Sequence, residues 1–333
     1  MIDLNEYLKK YNTKIKLNET REKKLRDSRD KLKERIENEF IKNEKKKPTF
    51  KGQGSFKMKT VINPKDTSDE YDIDYGVYLS EEDVLDANGK KKTPTTVHKW
   101  VYDAVNGHTY KTENKNKCIR VKYAPGEQSY SYHVDLPIYF ENEGKCYLAV
   151  KNEDKWIESN PNNIVEWFRE EIKEENSSEQ LRVIIRFVKS WVKLNNWNHK
   201  KPTGLLITVL CANNFSKQKN DIYDIALYET ISNIISFIEK ELEKSENEYL
   251  LNLPVHPYDN LLKEYSRGAL DEFLSKLKTF INNLKKAFVA DDDESLQECL
   301  KNIFEDIEDV FNDDQNCLQT KAPAIIGNDD RSA

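Results

Sequence analysis

The chain has 333 residues and a mass of 39.1 kDa, long enough for two packed units of about 100–200 residues each. With 37% hydrophobic and 11% aromatic residues it is too rich in core-forming side chains to be disordered, while 34% charged residues and a mean hydropathy of -0.84 leave a heavily solvated surface. Its net charge of -6 excludes a bulk basic field for nucleic acid or anionic lipid, leaving room only for a local basic cleft.

Residues 2–45 read as one helix: Leu25, Leu32, Ile36 and Phe40 recur at spacings of seven and four, forming an apolar stripe flanked by Arg21, Lys24, Lys31 and Glu37. The basic run Lys45 to Lys47, then Pro48, end it. Those lysines read either as phosphate contacts or as solvated cations at the negative pole of the helix dipole. From Thr49 to about Val150, Val, Ile, Tyr and Phe alternate with polar residues. Turns fall at Asn63-Pro64, Asn88-Gly89, Pro125-Gly126 and Glu143-Gly144, so this stretch is expected to be sheet.

Helical periodicity returns at Ile164. Leu181, Ile184, Ile185, Val188 and Val192 share one face, and further amphipathic stretches occupy about 205–215, 222–243, 269–288 and 295–311. Pro254, Pro257 and Asp259 interrupt this bundle, and no repeat of fixed period is present. After Phe311 periodicity is lost, which predicts a flexible tail. No stretch of about 18 apolar residues occurs and no charged-then-apolar segment opens the chain, so a cytoplasmic protein is expected, with no membrane partner. Cys118, Cys146, Cys211, Cys299 and Cys317 are odd in number and never in a CxxC pair, which points to reduced thiols and away from a structural zinc.

Chemistry concentrates between residues 52 and 140. In Tyr71 to Leu79 the apolar Ile73, Tyr75, Val77 and Leu79 alternate, so Asp72 and Asp74 share the opposite face of a strand, roughly 7 Å apart along the chain. Two carboxylates so placed repel unless solvated or bridged, and a divalent cation such as Mg²⁺ is the natural bridge. Val134, Leu136 and Ile138 alternate in the same way and leave Asp135 on their other side, a third carboxylate able to complete a two-metal cluster if the two strands pair. Upstream, Gly52-Gln53-Gly54-Ser55 precedes a strand-like Phe56 to Ile62. Such a turn can present backbone N–H groups and a hydroxyl to triphosphate oxygens. Each signal alone also fits an ordinary hairpin or a polar strand; their order and spacing give them weight.

Other residues have plainer readings beside the tempting ones. His133 shares the face of Asp135 yet suits a structural role. Tyr130, Tyr132, Trp191 and Trp197 could stack on bases or simply pack, and Cys118 and Cys146 read as small buried apolar groups.

The segments QGSFKMKT, EYDIDYGVYL and YHVDLPIYF resemble the Gly-Ser, Asp-x-Asp and third-Asp elements of polymerase-beta-like nucleotidyltransferases, and in detail the cGAS/DncV-like nucleotidyltransferases (CD-NTases) of bacterial CBASS antiphage systems. That resemblance implies an α+β, two-lobed fold: a catalytic lobe with a mixed sheet and long N-terminal bracing helix at 1–160, a helical lobe at 161–312 and a tail at 313–333. It implies that Asp72, Asp74 and Asp135 are the catalytic metal ligands, for Mg²⁺ or Mn²⁺, and that Gly54 and Ser55 hold the donor triphosphate with Gln53 near the nucleotide. Lys189, in Arg186-Phe187-Val188-Lys189-Ser190-Trp191, would reach the phosphates. Thr203 stands where relatives often place a serine, and it reads equally as a helix cap.

The implied reaction joins nucleoside triphosphates, ATP or GTP, into a cyclic di- or trinucleotide with release of pyrophosphate. The product would activate a separate effector upon phage infection. Partners would be regulators encoded in the same operon, a nucleic-acid activator, or machinery that conjugates the C-terminal Ala333. Two readings compete: a template-free enzyme that extends linear oligonucleotides or tails RNA, and a catalytically silent nucleotide- or RNA-sensing module.

Overall fold

The computed structural model describes residues 3–65, 69–125, 130–174, 178–219 and 222–304. The expected single helix over 2–45 is two, α1 (Leu4–Ile15) and α2 (Glu19–Lys42). Asn18 breaks them: its side chain accepts from the Arg21 N–H at 2.8 Å and caps α2. Asn63 seals the end of α1, its Nδ2 donating to the carbonyls of Lys14 and Lys16, each at 2.7 Å. The two helices serve different cores. Leu4, Tyr7, Leu8 and Tyr11 of α1 pack with the C-terminal helices, whereas Leu25, Leu32, Ile36 and Phe40 of α2 pack on the sheet.

The expected strand over Phe56–Ile62 is also corrected. Strand β1 (Thr49–Gln53) lies before the Gly-Ser pair, and Gly54 opens a short helix, α3 (Gly54–Met58), which ends at Lys59 with φ 60°. Met58 and Thr60 are buried, so the alternation read as a strand serves a helical turn and the segment leaving it. Strand β2 (Glu70–Leu79) follows, then α4 (Glu81–Val84) and α5 (Pro94–Val105). Helix α5 corrects the all-sheet reading of residues 49–150. Thr93 caps it, Pro94 occupies its first turn, and Val97, Val101 and Val105 recur every four residues on its buried face.

The remaining strands are β3 (Lys111–Asn114), β4 (Ile119–Tyr123), β5 (Ser131–Leu136), β6 (Ile138–Asn142), β7 (Lys145–Val150) and β8 (Lys155–Glu158), in the order β3-β4-β5-β2-β6-β7-β8 with β1 on β2. Glu70 faces Ser131 and Val77 faces Ile138, the same offset, so β5 and β6 run as one line parallel to β2, interrupted at Pro137. β1 lies antiparallel to β2, and the β3-β4, β4-β5, β6-β7 and β7-β8 pairs are antiparallel too, so the sheet is mixed.

Helices α6 (Pro161–Glu174), α7 (Ser178–Leu194), α8 (Gly204–Asn213), α9 (Tyr223–Leu242), α10 (Arg267–Phe288) and α11 (Asp293–Lys301) build the second core. The last expected helix, 295–311, begins at Asp293 and ends at Lys301; residues 305–311, the tail and Cys317 lie outside the described residues, as does Gly126. Trp191 and Trp197 pack edge to face in this core, and Tyr132 stacks on Tyr123 with ring centroids 4.7 Å apart, so these aromatics are packing residues. The Lys45–Lys47 run lies on the surface: Lys45 sits over Trp100, while Lys46 and Lys47 pair with Glu82 and Glu37. Among the described residues no helix is long and apolar enough to cross a membrane.

Candidate active site

Strand β2 buries Tyr71, Ile73 and Tyr75 against the sheet core and turns Asp72 and Asp74 to the other face. Across the parallel pair Asp72 faces His133 and Asp74 faces Asp135; across the antiparallel pair Asp74 faces Gln53. Strand register therefore gathers three acids from positions distant in the chain. Ligand atoms of Asp72, His133 and Asp135 all lie within 4.8 Å of one another. Gly54 closes over the same spot with φ +65°, and a Cβ there would stand 2.2 Å from Asp74 Oδ2, a contact only glycine permits.

One neighbour of the acids escaped the sequence reading, Arg120, while His133, expected on the face of Asp135, stands beside them. On β4, Arg120 faces Asp135 and grips both its oxygens, Nε donating to Oδ1 at 2.7 Å and Nη2 to Oδ2 at 2.6 Å. His133 is held by Glu70, with Nδ1 2.9 Å from Glu70 Oε2, so that Nε2 stands 3.9 Å from both Asp72 and Asp135. Only strand pairing brings Arg120 here; the alternation in Ile119, Arg120 and Val121 is the sole hint in the chain.

A cleft of about 530 Å³ opens beside the acids, lined by Gln53, Gly54, Ser55, Asp72 and Asp74 from the sheet side and by Lys189, Gly204 and Thr208 from the helices. Asp135 lies beneath it, 7% exposed. Gln53 is buried, its Nε2 donating to the Tyr139 hydroxyl at 3.1 Å, while its Oε1 has no hydrogen-bond partner among the described residues. Lys189 also lines the cleft, its Nζ donating to Thr60 Oγ1 at 3.0 Å. Thr203 is not in the lining; it caps α8, its Oγ1 accepting from the Leu206 N–H at 3.2 Å.

Three cations on one face of α7 reach across to the segment that leaves α3. Arg182 Nε donates to the Met58 carbonyl at 3.0 Å, Arg186 Nη1 to the Lys59 carbonyl at 2.8 Å, and Lys189 to Thr60. Arg186 is fully buried and also binds Asn12 Oδ1 at 2.9 Å and Glu179 Oε1 at 2.6 Å. The helical half thereby holds the Gly-Ser turn over the acids.

Burial raises the Asp72 carboxyl above its usual range, with Asp135 adding to the effect and His133 opposing it. Burial followed by the charges of Asp72 and Asp135 pushes Asp74 up to about 8. Burial pushes Lys189 down to about 8. Clustered carboxylates that resist ionising in the bare protein, made of hard oxygen donors and open to a cleft, fit a divalent cation. Asp72 and Asp74 would hold it, with Asp135 sharing its lone pairs between metal and guanidinium.

A Gly-Ser turn is thus poised over an Asp-x-Asp strand, with a third aspartate on the adjacent parallel strand, in a fold like that of the two-lobed polymerase-beta-like nucleotidyltransferases. Residues 48–139 match the family model described as the nucleotidyltransferase domain of cyclic GMP-AMP synthase DncV-like proteins. A cyclic GMP-AMP synthase from Escherichia albertii is 31% identical over 215 residues, 61% of this chain and 45% of that protein, so the matched part spans less than half of the relative. The fold is similar to the Vibrio cholerae dinucleotide cyclase DncV, with a TM-score of 0.74 and 17% identity over 91% of this chain and 96% of that one. It is also similar to Escherichia coli CdnC, with a TM-score of 0.67 and 15% identity over 92% and 98% of the two chains. Residues 48–139 thus match a DncV-like nucleotidyltransferase domain, and the relatives and the likeness in fold support a cGAS/DncV-like nucleotidyltransferase, a CD-NTase.

Proposed function

We propose that this protein is a metal-dependent synthase that joins nucleoside triphosphates into a cyclic di- or trinucleotide. The observation that carries the reading is the register of β2 with β5, which aligns Asp72 and Asp74 with Asp135 under the Gly54-Ser55 turn. Gly54 and Ser55 bind the donor triphosphate by backbone N–H groups and a hydroxyl, and Lys189 exchanges Thr60 for a phosphate oxygen. Asp72, Asp74 and Asp135 would hold Mg²⁺ or Mn²⁺, which would supply charge to neutralise the phosphates and to acidify the attacking hydroxyl. A ribose hydroxyl then attacks the α-phosphorus in line: an O–P bond forms, the bond to the leaving pyrophosphate breaks, and the hydroxyl proton leaves by way of Asp135 or water. The linear product rebinds and its other end closes the ring.

Named complexes of the relatives support this reading. The Vibrio cholerae enzyme has been solved with a linear intermediate, pppA(3′,5′)pG, and with ATP and GTP, and CdnC has been solved with ATP and with a HORMA protein. We extend the reading to ATP and GTP as substrates, to a cytoplasmic role in CBASS antiphage defence, and to an operon-encoded regulator. Conjugation through Ala333 is part of the same proposal; mass spectrometry of protein purified with its operon partners, finding only a free carboxylate, would count against it.

The test is incubation with each radiolabelled nucleoside triphosphate and Mg²⁺ or Mn²⁺, followed by phosphatase. A phosphatase-resistant product that disappears in Asp72→Ala supports the proposal. A ladder of extending oligomers would replace it with the linear-polymerase reading. Absence of pyrophosphate release, with the regulator present, would favour the silent sensor.

A further inference from the structure

His133 is 7% exposed and stands on β5 opposite Asp72 of β2. Its ring is oriented from behind. Nδ1 lies 2.9 Å from Glu70 Oε2, while Lys122 Nζ donates to Glu70 Oε1 at 2.7 Å, so Glu70 is the charged acceptor of an ion pair. An ionised carboxylate only accepts, which places a proton on Nδ1 and turns Nε2 toward the acids of the cleft. Nε2 is 3.9 Å from Asp72 Oδ2 and 3.9 Å from Asp135 Oδ2, beyond hydrogen-bond distance of both. A ring placed there to donate would close on one of these oxygens. The gap instead suits an ion, because a cation at about 2.0–2.2 Å from a nitrogen and from an oxygen bridges such an interval. A carboxylate bonded to the far nitrogen is also the usual companion of a metal-binding imidazole, fixing its tautomer and its direction.

We infer that His133 Nε2, Asp72 and Asp135 form a mixed nitrogen–oxygen metal position that takes Mn²⁺ in preference to Mg²⁺. This rests on the metal-dependent reading proposed above and adds to it a ligand and a choice of ion. Ligand atoms of the three residues lie within 4.8 Å of one another, and Asp74 is not of this trio. The position therefore differs from one bridged by Asp72 and Asp74 alone, where every protein donor is an oxygen. Asp135 Oδ2 accepts from Arg120 Nη2 at 2.6 Å and keeps a second lone pair for the ion. Asp72 lines the cleft, so an ion enters from that side. Mg²⁺ favours oxygen donors and holds its waters, whereas Mn²⁺ accepts carboxylates and gains from an imidazole. Glu70 touches no ion; it is a positioning residue that acts through His133.

The experiment is pulsed electron paramagnetic resonance of Mn²⁺ bound to the full chain with inorganic tripolyphosphate, a probe that contains no nitrogen. The expected result is a nitrogen coupling from a directly bonded imidazole, altered when the histidine rings carry heavy nitrogen and lost in His133→Phe. In that variant the affinity for Mn²⁺ relative to Mg²⁺, read by competition, should fall by about tenfold or more. Glu70→Gln should keep the coupling and weaken Mn²⁺ binding by about tenfold. Bound Mn²⁺ without a histidine coupling overturns the inference and leaves the three-aspartate reading standing; failure to bind either ion removes both. An equal loss of Mn²⁺ and Mg²⁺ affinity in His133→Phe also overturns it, since a residue that only shapes the site does not discriminate between ions. Should His133→Phe fail to fold, Mn²⁺ soaked into crystals of the unaltered protein decides the matter. An anomalous peak bonded to His133 Nε2 supports the position, and a peak held by the aspartates alone overturns it.

Discussion

At the scale of single residues, the site depends on two contacts that tolerate no substitution. Gly54 has positive φ and lies so close to Asp74 that a methyl group would collide with the carboxylate. Gly54→Ala is therefore expected to displace Asp74 and to lower turnover by about a hundredfold, for a stability cost of about 1–3 kcal/mol, read by product formation and by urea denaturation. Arg120 is the other. Arg120→Met leaves the largely buried Asp135 carboxylate without its partner, and a loss of about 3–5 kcal/mol is expected. Adding Asp135→Asn should restore much of that stability while leaving the protein inactive, a result that separates the structural task of the pair from the chemical one. The difference in legibility between these residues is physical. Asp72 and Asp74 were readable because a period of two puts them on one face within a single strand, whereas Arg120 reaches Asp135 only through cross-strand register, which no local pattern encodes.

At the scale of elements, α7 carries information that its apolar stripe hides. The stripe of Leu181, Ile184, Ile185, Val188 and Val192 announces the helix, but Arg182, Arg186 and Lys189 decide where the Gly-Ser turn sits. Arg182→Met removes one hydrogen bond to the Met58 carbonyl, so a stability loss of about 1 kcal/mol is expected together with a KM for nucleoside triphosphate raised several-fold and kcat changed less. A uniform loss of both kinetic constants would instead mean that the lobe as a whole is disturbed. Helix α5 makes a second element-scale prediction. His98 is fully buried, its ring nitrogens 3.0 Å from Asn114 Oδ1 and 3.1 Å from the Ala149 carbonyl, and burial holds its pKa below the usual imidazole value despite those bonds. On acidification the unfolded chain takes up the proton first, so stability is full above about pH 6.5 and falls as pH drops below it, by at most about 1.4 kcal/mol per pH unit. Chemical denaturation at about pH 7.5 and about pH 5.5 should show a smaller loss for His98→Gln than for the unaltered protein. The helix itself was missed because the β-branched residues Val97, Val101 and Val105 look strand-like in a stretch already read as sheet, although Thr93-Pro94 is a helix-start signal.

At the scale of the whole molecule, the change from alternating to helical periodicity near residue 160 made the two-part α+β layout readable, but not the allegiance of the N-terminus. Helix α1 is first in the chain and yet packs against Phe187 and Phe304, and the fully buried Arg186 ties it to α7 and to Lys59. The two cores are thus joined by chain that crosses between them and by the polar ladder, while the cleft draws its walls from both. A ligand that fills the cleft must then stabilise both halves together, by an amount fixed by mass action: about 2.7 kcal/mol when a nucleoside triphosphate with Mg²⁺ is present at about a hundred times its dissociation constant. Hydrogen exchange should report this as slowed opening of amides in β2 and β5 and, to a similar degree, in α7 and the first turn of α8. Asp74→Asn removes a carboxylate and should abolish the metal-dependent part of the protection in both halves, whereas Lys189→Met should reduce protection in both without altering its dependence on metal. If nucleotide and Mg²⁺ slowed exchange in the strands alone, the helical half would be a scaffold and the assignment of Lys189 to the triphosphate would fall.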